Sequence, residues 1–230
     1  MRFGGFQELS LIDYPGKVAA TVFTIGCSFR CPFCYNPGLV DGTIKEIPEN
    51  HILSLLEKRR KILDAVVICG GEPPLHADLP EFCAKLKKLG FSVKLDTNGS
   101  NPVMLRKLVD EKLVDCIAMD IKTSFAKYGE ASGIKADAEN IKKSISIVKS
   151  LSDYEFRTTC VPGLVEESDL LEIAEYLKKN KANKAFFIQQ FRNKNLLSKA
   201  LEKAAPYSEE NLESFRKKLA PFFDRVEVRK

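Results

Sequence analysis

Three of the seven cysteines, Cys27, Cys31 and Cys34, fall within eight residues, in the run Gly26-Cys27-Ser28-Phe29-Arg30-Cys31-Pro32-Phe33-Cys34-Tyr35-Asn36-Pro37. The spacing C-x3-C-x2-C lets one loop wrap one metal centre, and cysteine thiolates are the groups that hold cubane iron–sulfur clusters. Three thiolates leave one iron of a cubane without a protein ligand. An open metal position is where a substrate binds directly, whereas a structural site closes its last position. The competing reading is a zinc site with three cysteines and a histidine. His51 and His76 are the only histidines, and neither stands at knuckle-like spacing from the cysteines. An electron-transfer cluster asks for a fourth cysteine nearby, and there is none. Cys69, Cys83, Cys116 and Cys160 are scattered and read as core residues, so the expectation is a single cluster.

The elements that must position this loop follow from composition and period. At 230 residues, 44% hydrophobic and 29% charged, the chain is expected to fold as one domain over residues 1–230. No apolar run reaches the length of about eighteen residues that spans a bilayer, and the start, MRFGGFQELS, has no signal-peptide pattern. The cytoplasm is the expected location, and no membrane partner is expected. The net charge of +5 is spread over helical stretches without interleaved aromatics, so no nucleic-acid partner is expected either. An odd cysteine count in a mid-sized chain speaks against a disulfide framework.

Short β-branched runs alternate with amphipathic ones. Strands are expected at 18–24, 65–69, 91–95, 116–120, 155–161, 185–189 and 225–228. Helices are expected at 51–62, 79–89, 103–109, 140–150, 168–179 with Ser168 as cap, and 211–219. This alternation implies an α/β fold with a parallel sheet. Six strand–helix units suit an open partial (βα)6 barrel, and a doubly wound sheet is the rival that periodicity does not separate from it. In either, the chemistry belongs at the carboxyl ends of the strands.

Polar residues stand at those ends. Gly70-Gly71-Glu72-Pro73 follows the second strand; glycines admit close backbone approach and a carboxylate accepts from an ammonium, although a tight turn explains the run equally well. Asp96-Thr97-Asn98-Gly99 follows the third and also reads as an Asx-type turn. Alternation sends Asp120 and Lys122 to one face, as a ligand pair or a structural ion pair. Arg157 on the fifth strand is suited to bidentate contact with a carboxylate, and Gln190 ends the sixth.

The cysteine loop, closed by the aromatic Tyr35, resembles the signature of the radical S-adenosylmethionine superfamily. The wider segment SLIDYPGKVAATVFTIGCSFRCPFCYNPGL is similar to the start of the anaerobic ribonucleoside-triphosphate reductase activating proteins. The resemblance covers essentially the whole chain and weakens past about Gly163. It implies one [4Fe–4S] cluster on Cys27, Cys31 and Cys34, whose open iron is chelated by S-adenosylmethionine. Reductive cleavage would then release methionine and a 5′-deoxyadenosyl radical that takes a hydrogen from a glycine of the reductase. Cofactor contacts implied in the same way are Tyr35, the Gly70-Gly71-Glu72 motif on the methionine ammonium, and Asp96 and Thr97 near the ribose and methionine portions or on a monovalent cation. Asp120 and Lys122 resemble the DxK pair of glycyl-radical-enzyme activases, and Arg157 and Gln190 complete the set. A one-electron donor such as flavodoxin or ferredoxin is implied. The alternatives are an activase of pyruvate formate-lyase or another glycyl radical enzyme, and a small-molecule enzyme like the one forming 7-carboxy-7-deazaguanine.

Overall fold

The computed structural model describes residues 1–230. Its strands are β1 (Phe3–Ser10), β2 (Ala19–Thr24), β3 (Ala65–Gly70), β4 (Ser92–Thr97), β5 (Cys116–Asp120), β6 (Tyr154–Cys160), β7 (Ala185–Gln190) and β8 (Arg225–Arg229). Strand order follows chain order from β1 to β8. A doubly wound sheet reverses its order at a switch point, and no reversal occurs here. The fold is α/β with a mostly parallel sheet. No helix is long and apolar enough to cross a membrane.

Contacts group the chain into two compact units. The first comprises Met1–Ser28, Gly38–Thr97 and Asn101–Ala118; the second comprises Phe29–Pro37, Asn98–Ser100 and Met119–Lys230.

In the first unit β1 runs antiparallel to β2, with irregular register between Phe3 and Gly5 and between Gln7 and Ser10. The strands β2, β3 and β4 are parallel, aligning Ala20 with Val66 and Val93, and Val22 with Ile68 and Leu95. All six are fully buried. Alternation gives the opposite face the row Thr21, Val67 and Lys94. The helices are α1 (Pro37–Asp41), α2 (Glu49–Arg59), α3 (Leu79–Lys88) and α4 (Pro102–Asp110). Buried Leu79, Phe82, Cys83 and Leu86 recur along α3 at i, i+3, i+4 and i+7, the stripe that forms an amphipathic helix. Asn101 caps α4 by accepting from the Met104 N–H at 3.1 Å.

The second unit holds α5 (Tyr128–Ser132), α6 (Ala138–Val148), α7 (Glu167–Lys179) and α8 (Glu209–Leu219) with parallel β6, β7 and β8. Ser168 does not cap α7. The Asp169 carboxylate reaches back to the Glu166 N–H at 2.8 Å, so the helix starts at Glu167 and Ser168 lies inside its first turn. The segment β1, with two glycines and mixed polarity, carries no strand signature in sequence, and neither do the single-turn α1 and α5.

Candidate active site

The first unit supplies Cys27, the Gly70-Gly71-Glu72 motif, Asp96 and Thr97. Cys27 leaves β2 through Gly26, whose N–H donates to the Leu39 carbonyl at 2.7 Å. The end of β3 is stitched to this exit: the Gly71 N–H donates to the Thr24 carbonyl at 2.9 Å and the Glu72 N–H to the Gly26 carbonyl at 2.8 Å. Both glycines are demanded by the chain's own backbone. Gly70 has φ +116°, and a Cβ there would lie 2.2 Å from the Thr24 nitrogen; a Cβ on Gly71 would lie 1.9 Å from the Gly26 oxygen.

This stitching carries Glu72 into the interior, where it is 1% exposed. The Thr97 hydroxyl donates to its carboxylate, so the ends of β3 and β4 are joined through two of the expected cofactor residues. Asp96 has the Lys94 ammonium 3.4 Å from its Oδ1. Lys94 is itself buried, and its Nζ also donates to the Asp13 carbonyl at 2.6 Å. The Thr21 hydroxyl donates to the Asp13 carboxylate at 2.6 Å, while Tyr14 packs with Ala19, Ala65, Val67 and Cys116. The LIDYPGK segment is thus a strap across the Thr21–Val67–Lys94 row. The signal for it was present in the alternation of Ser92-Val93-Lys94-Leu95-Asp96, which places Lys94 on the face of Asp96.

The second unit supplies Cys31, Cys34, Tyr35, Asp120, Lys122, Arg157 and Gln190. The Cys34 N–H donates to the Cys31 carbonyl at 3.0 Å, and the Asn36 N–H donates to the Cys34 Sγ at 3.5 Å. The loop after β7 holds this turn in place, since the Leu197 N–H donates to the Cys34 carbonyl at 3.0 Å and the Ser198 N–H to the Pro32 carbonyl at 2.9 Å. The Arg192 N–H donates to the Tyr35 hydroxyl at 2.8 Å.

Asp120 and Arg157 form the bidentate pair expected of an arginine, with Nε to Oδ1 at 2.9 Å and Nη2 to Oδ2 at 3.3 Å. Lys122 stands 3.4 Å from the same carboxylate. Arg157 continues to Glu155 at 3.8 Å, and Glu155 is bidentate on Arg229 at 2.7 and 2.8 Å. Burial opposes ionisation of Asp120, but Arg157 and then Lys122 outweigh it and hold the carboxyl down at about 2. Burial likewise disfavours the Lys122 ammonium, yet Asp120 and Cys31 keep it charged well above the ordinary lysine range. Burial raises the Cys31 thiol, and the Lys122 cation acts against that rise. Lys122 therefore pairs with the Asp120 carboxylate and offsets only part of the rise that burial gives the Cys31 thiol. Gln190 turns its Nε2 to the Phe191 and Tyr207 carbonyls at 3.2 and 3.1 Å.

No cysteine is in a disulfide. Burial pushes the Cys83 and Cys160 thiols up to about 12, which suits inert core residues. The side chains form no ready-made group of three His, Cys, Asp or Glu ligands, and neither His51 nor His76 joins the cysteines in one. The donor set itself fits an iron–sulfur cluster with an open position: three thiols within one run of eight residues, with the Lys122 cation acting on one of them, Cys31. A buried carboxylate on Glu72, fixed by a hydroxyl, fits an ammonium ligand.

The sequence profile of the Radical SAM superfamily matches residues 21–188. A Methanocaldococcus jannaschii protein, provisionally named a glycyl-radical enzyme activating enzyme, is 34% identical over 231 residues, covering 98% of this chain and 94% of its own. The pyruvate formate-lyase-activating enzyme of Staphylococcus aureus is 26% identical over 188 residues, with 74% and 73% covered. Among solved structures, Streptococcus suis SuiB bound to S-adenosylmethionine superposes with a TM-score of 0.68 at 16% identity, a likeness of fold. It covers 90% of this chain, which spans about half of SuiB (49%).

Proposed function

We propose, for a chain that belongs to the radical S-adenosylmethionine superfamily and within it to the glycyl-radical enzyme activating enzymes, that it installs a glycyl radical on anaerobic ribonucleoside-triphosphate reductase. In this reading a single domain spans residues 1–230, and Cys27, Cys31 and Cys34 hold one [4Fe–4S] cluster whose fourth iron takes S-adenosylmethionine. The observation that carries it is the trio of thiols on one loop, with backbone hydrogen bonds tying down the exit at Gly26 and the turn at Cys34. Bound together, cluster and cofactor supply reductive carbon–sulfur cleavage and hydrogen-atom abstraction.

The chain's own residues bind and orient. Glu72, set by Thr97 and carried at the end of the Gly70-Gly71 crossing, receives the methionine ammonium. Asp96 and Thr97 face the ribose and methionine portions or a monovalent cation. Asp120 and Lys122, braced by Arg157, present a fixed charge pair to the polar end of the cofactor. Tyr35 and Gln190 flank the adenosine. The reductase is favoured over other glycyl radical enzymes by the LIDYPGK and CYNP segments. A flavodoxin or ferredoxin supplies the electron, in the cytoplasm.

Reduced, cluster-loaded protein is mixed with S-adenosylmethionine and the reductase, and the glycyl radical doublet is sought by electron paramagnetic resonance. A doublet supports the reading. No doublet with the reductase, and one with pyruvate formate-lyase, replaces it with the formate-lyase activase.

A further inference from the structure

The second unit contains a cavity of about 510 Å³ whose lining includes four basic side chains, Arg192, Lys194, Arg229 and Lys230, and no aspartate or glutamate. The remaining lining is uncharged and rich in hydrogen-bonding groups, among them Tyr35 and Gln190. The four cations are not equivalent. Arg229 is spent on Glu155 through two hydrogen bonds and stacks 3.5 Å from the Phe187 ring centre. Lys230 pairs with Glu209 at 2.7 Å. Arg192 and Lys194 are exposed and have no acidic side chain within ion-pair distance, so they give the cavity an unbalanced positive charge.

Both cations sit on the loop that follows β7, and this loop is the one laced to the cysteine turn. Its Arg192, Leu197 and Ser198 amides donate to the Tyr35 hydroxyl and to the Cys34 and Pro32 carbonyls. At Asn195 the loop turns through φ +57°, a left-handed conformation that asparagine tolerates. The backbone that carries the two cations is therefore tied to the cysteine turn.

Tyr35 and Gln190 are given to the adenosine in the proposed function, but S-adenosylmethionine bears a sulfonium, an ammonium and a single carboxylate, so the Arg192 and Lys194 side of the cavity is not built for it. The geometry points to an acidic segment of the protein substrate as the occupant of that side, its carboxylates on Arg192 and Lys194 and its backbone against Asn195. This rests on the reading that the substrate is a polypeptide. Docking there would bring the substrate chain beside the cysteine turn, with long-range attraction assisting the encounter.

The test uses cluster-loaded protein and a fluorescein-labelled peptide of alternating glycine and glutamate, with the glycine–glutamine peptide as its neutral counterpart. The glutamate peptide is expected to bind and the glutamine peptide not. The double variant Arg192→Gln/Lys194→Gln should weaken binding about tenfold, the sum of two modest ion pairs. The charge-matched control Arg60→Gln/Lys61→Gln should leave it unchanged. Equal weakening by both variants, or none by the first, overturns the proposal, as does displacement of the peptide by inorganic triphosphate at lower concentration than by unlabelled peptide. Cleavage of S-adenosylmethionine without any protein substrate is measured alongside. Its absence in the parent protein would sink the functional reading, whereas the peptide result judges this site alone.

Discussion

Asp120 draws two cations of the second unit onto one carboxylate. Its carboxylate takes Arg157 in two hydrogen bonds and Lys122 at 3.4 Å. Because its folded pKa of about 2 lies below the ordinary 3.8, the pairing stabilises the fold fully above about pH 4 and is lost as pH falls toward 2. The stability gap between the parent and Asp120→Asn, read from urea midpoints, should be constant between about pH 5 and 7 and shrink below about pH 4. A gap that is flat down to pH 2 would mean that the ion pairs contribute nothing to folding. The cysteines divide just as sharply. Cys31→Ala should abolish iron loading and release of 5′-deoxyadenosine, and Cys83→Ala, deep in α3, should leave both largely intact. Iron analysis and chromatography of the reaction check this, and a fully active Cys31→Ala protein would refute the ligand assignment.

At the scale of elements, two pieces of backbone position the site: the crossing of β3 over the exit of β2, and the strap from Asp13 to Tyr14. Gly71→Ala drives a methyl into the Gly26 carbonyl at 1.9 Å, so the backbone next to Cys27 must move. A cost of about 1–3 kcal/mol is expected, together with reduced iron content; thermal unfolding and metal analysis read the two effects. Lys94→Met leaves the Asp13 carbonyl without this donor and should destabilise by about 1–3 kcal/mol, seen as a lower urea midpoint. An unchanged midpoint would show that the strap is not held by Lys94.

The core strands were readable from sequence because a buried parallel strand is a short apolar run. All seven expected spans match to within two residues at either end, the fifth, expected at 155–161, being shifted by one. The β1 strand was not readable, since Phe3-Gly4-Gly5-Phe6 has neither alternation nor an apolar run and pairs irregularly. The α7 start was misplaced because a glutamate–aspartate box caps it in place of serine. Site residues were legible where chemistry is local, as in the cysteine loop, and illegible where it depends on pairing. Nothing in the sequence marks Asp120 for Arg157, 37 positions away, or the Asp13 carbonyl for Lys94, 81 positions away. The reason for Gly70 and Gly71 was likewise hidden, because the partner is backbone from another strand.

For the molecule as a whole, sequential strand order and polar residues at strand ends describe a scaffold whose chemistry is supplied by what it binds. In the proposed function the chain's part is to hold three thiols on one loop, to set the Glu72 and Asp120 carboxylates, and to leave one iron position for the cofactor. The measurement that bears most directly on this is electron paramagnetic resonance of the dithionite-reduced, anaerobically loaded protein before and after S-adenosylmethionine is added. The account predicts a reduced [4Fe–4S] signal whose g values shift on addition, because the cofactor binds the cluster itself. A signal that is unchanged by the cofactor, or protein that takes up no iron, would contradict it.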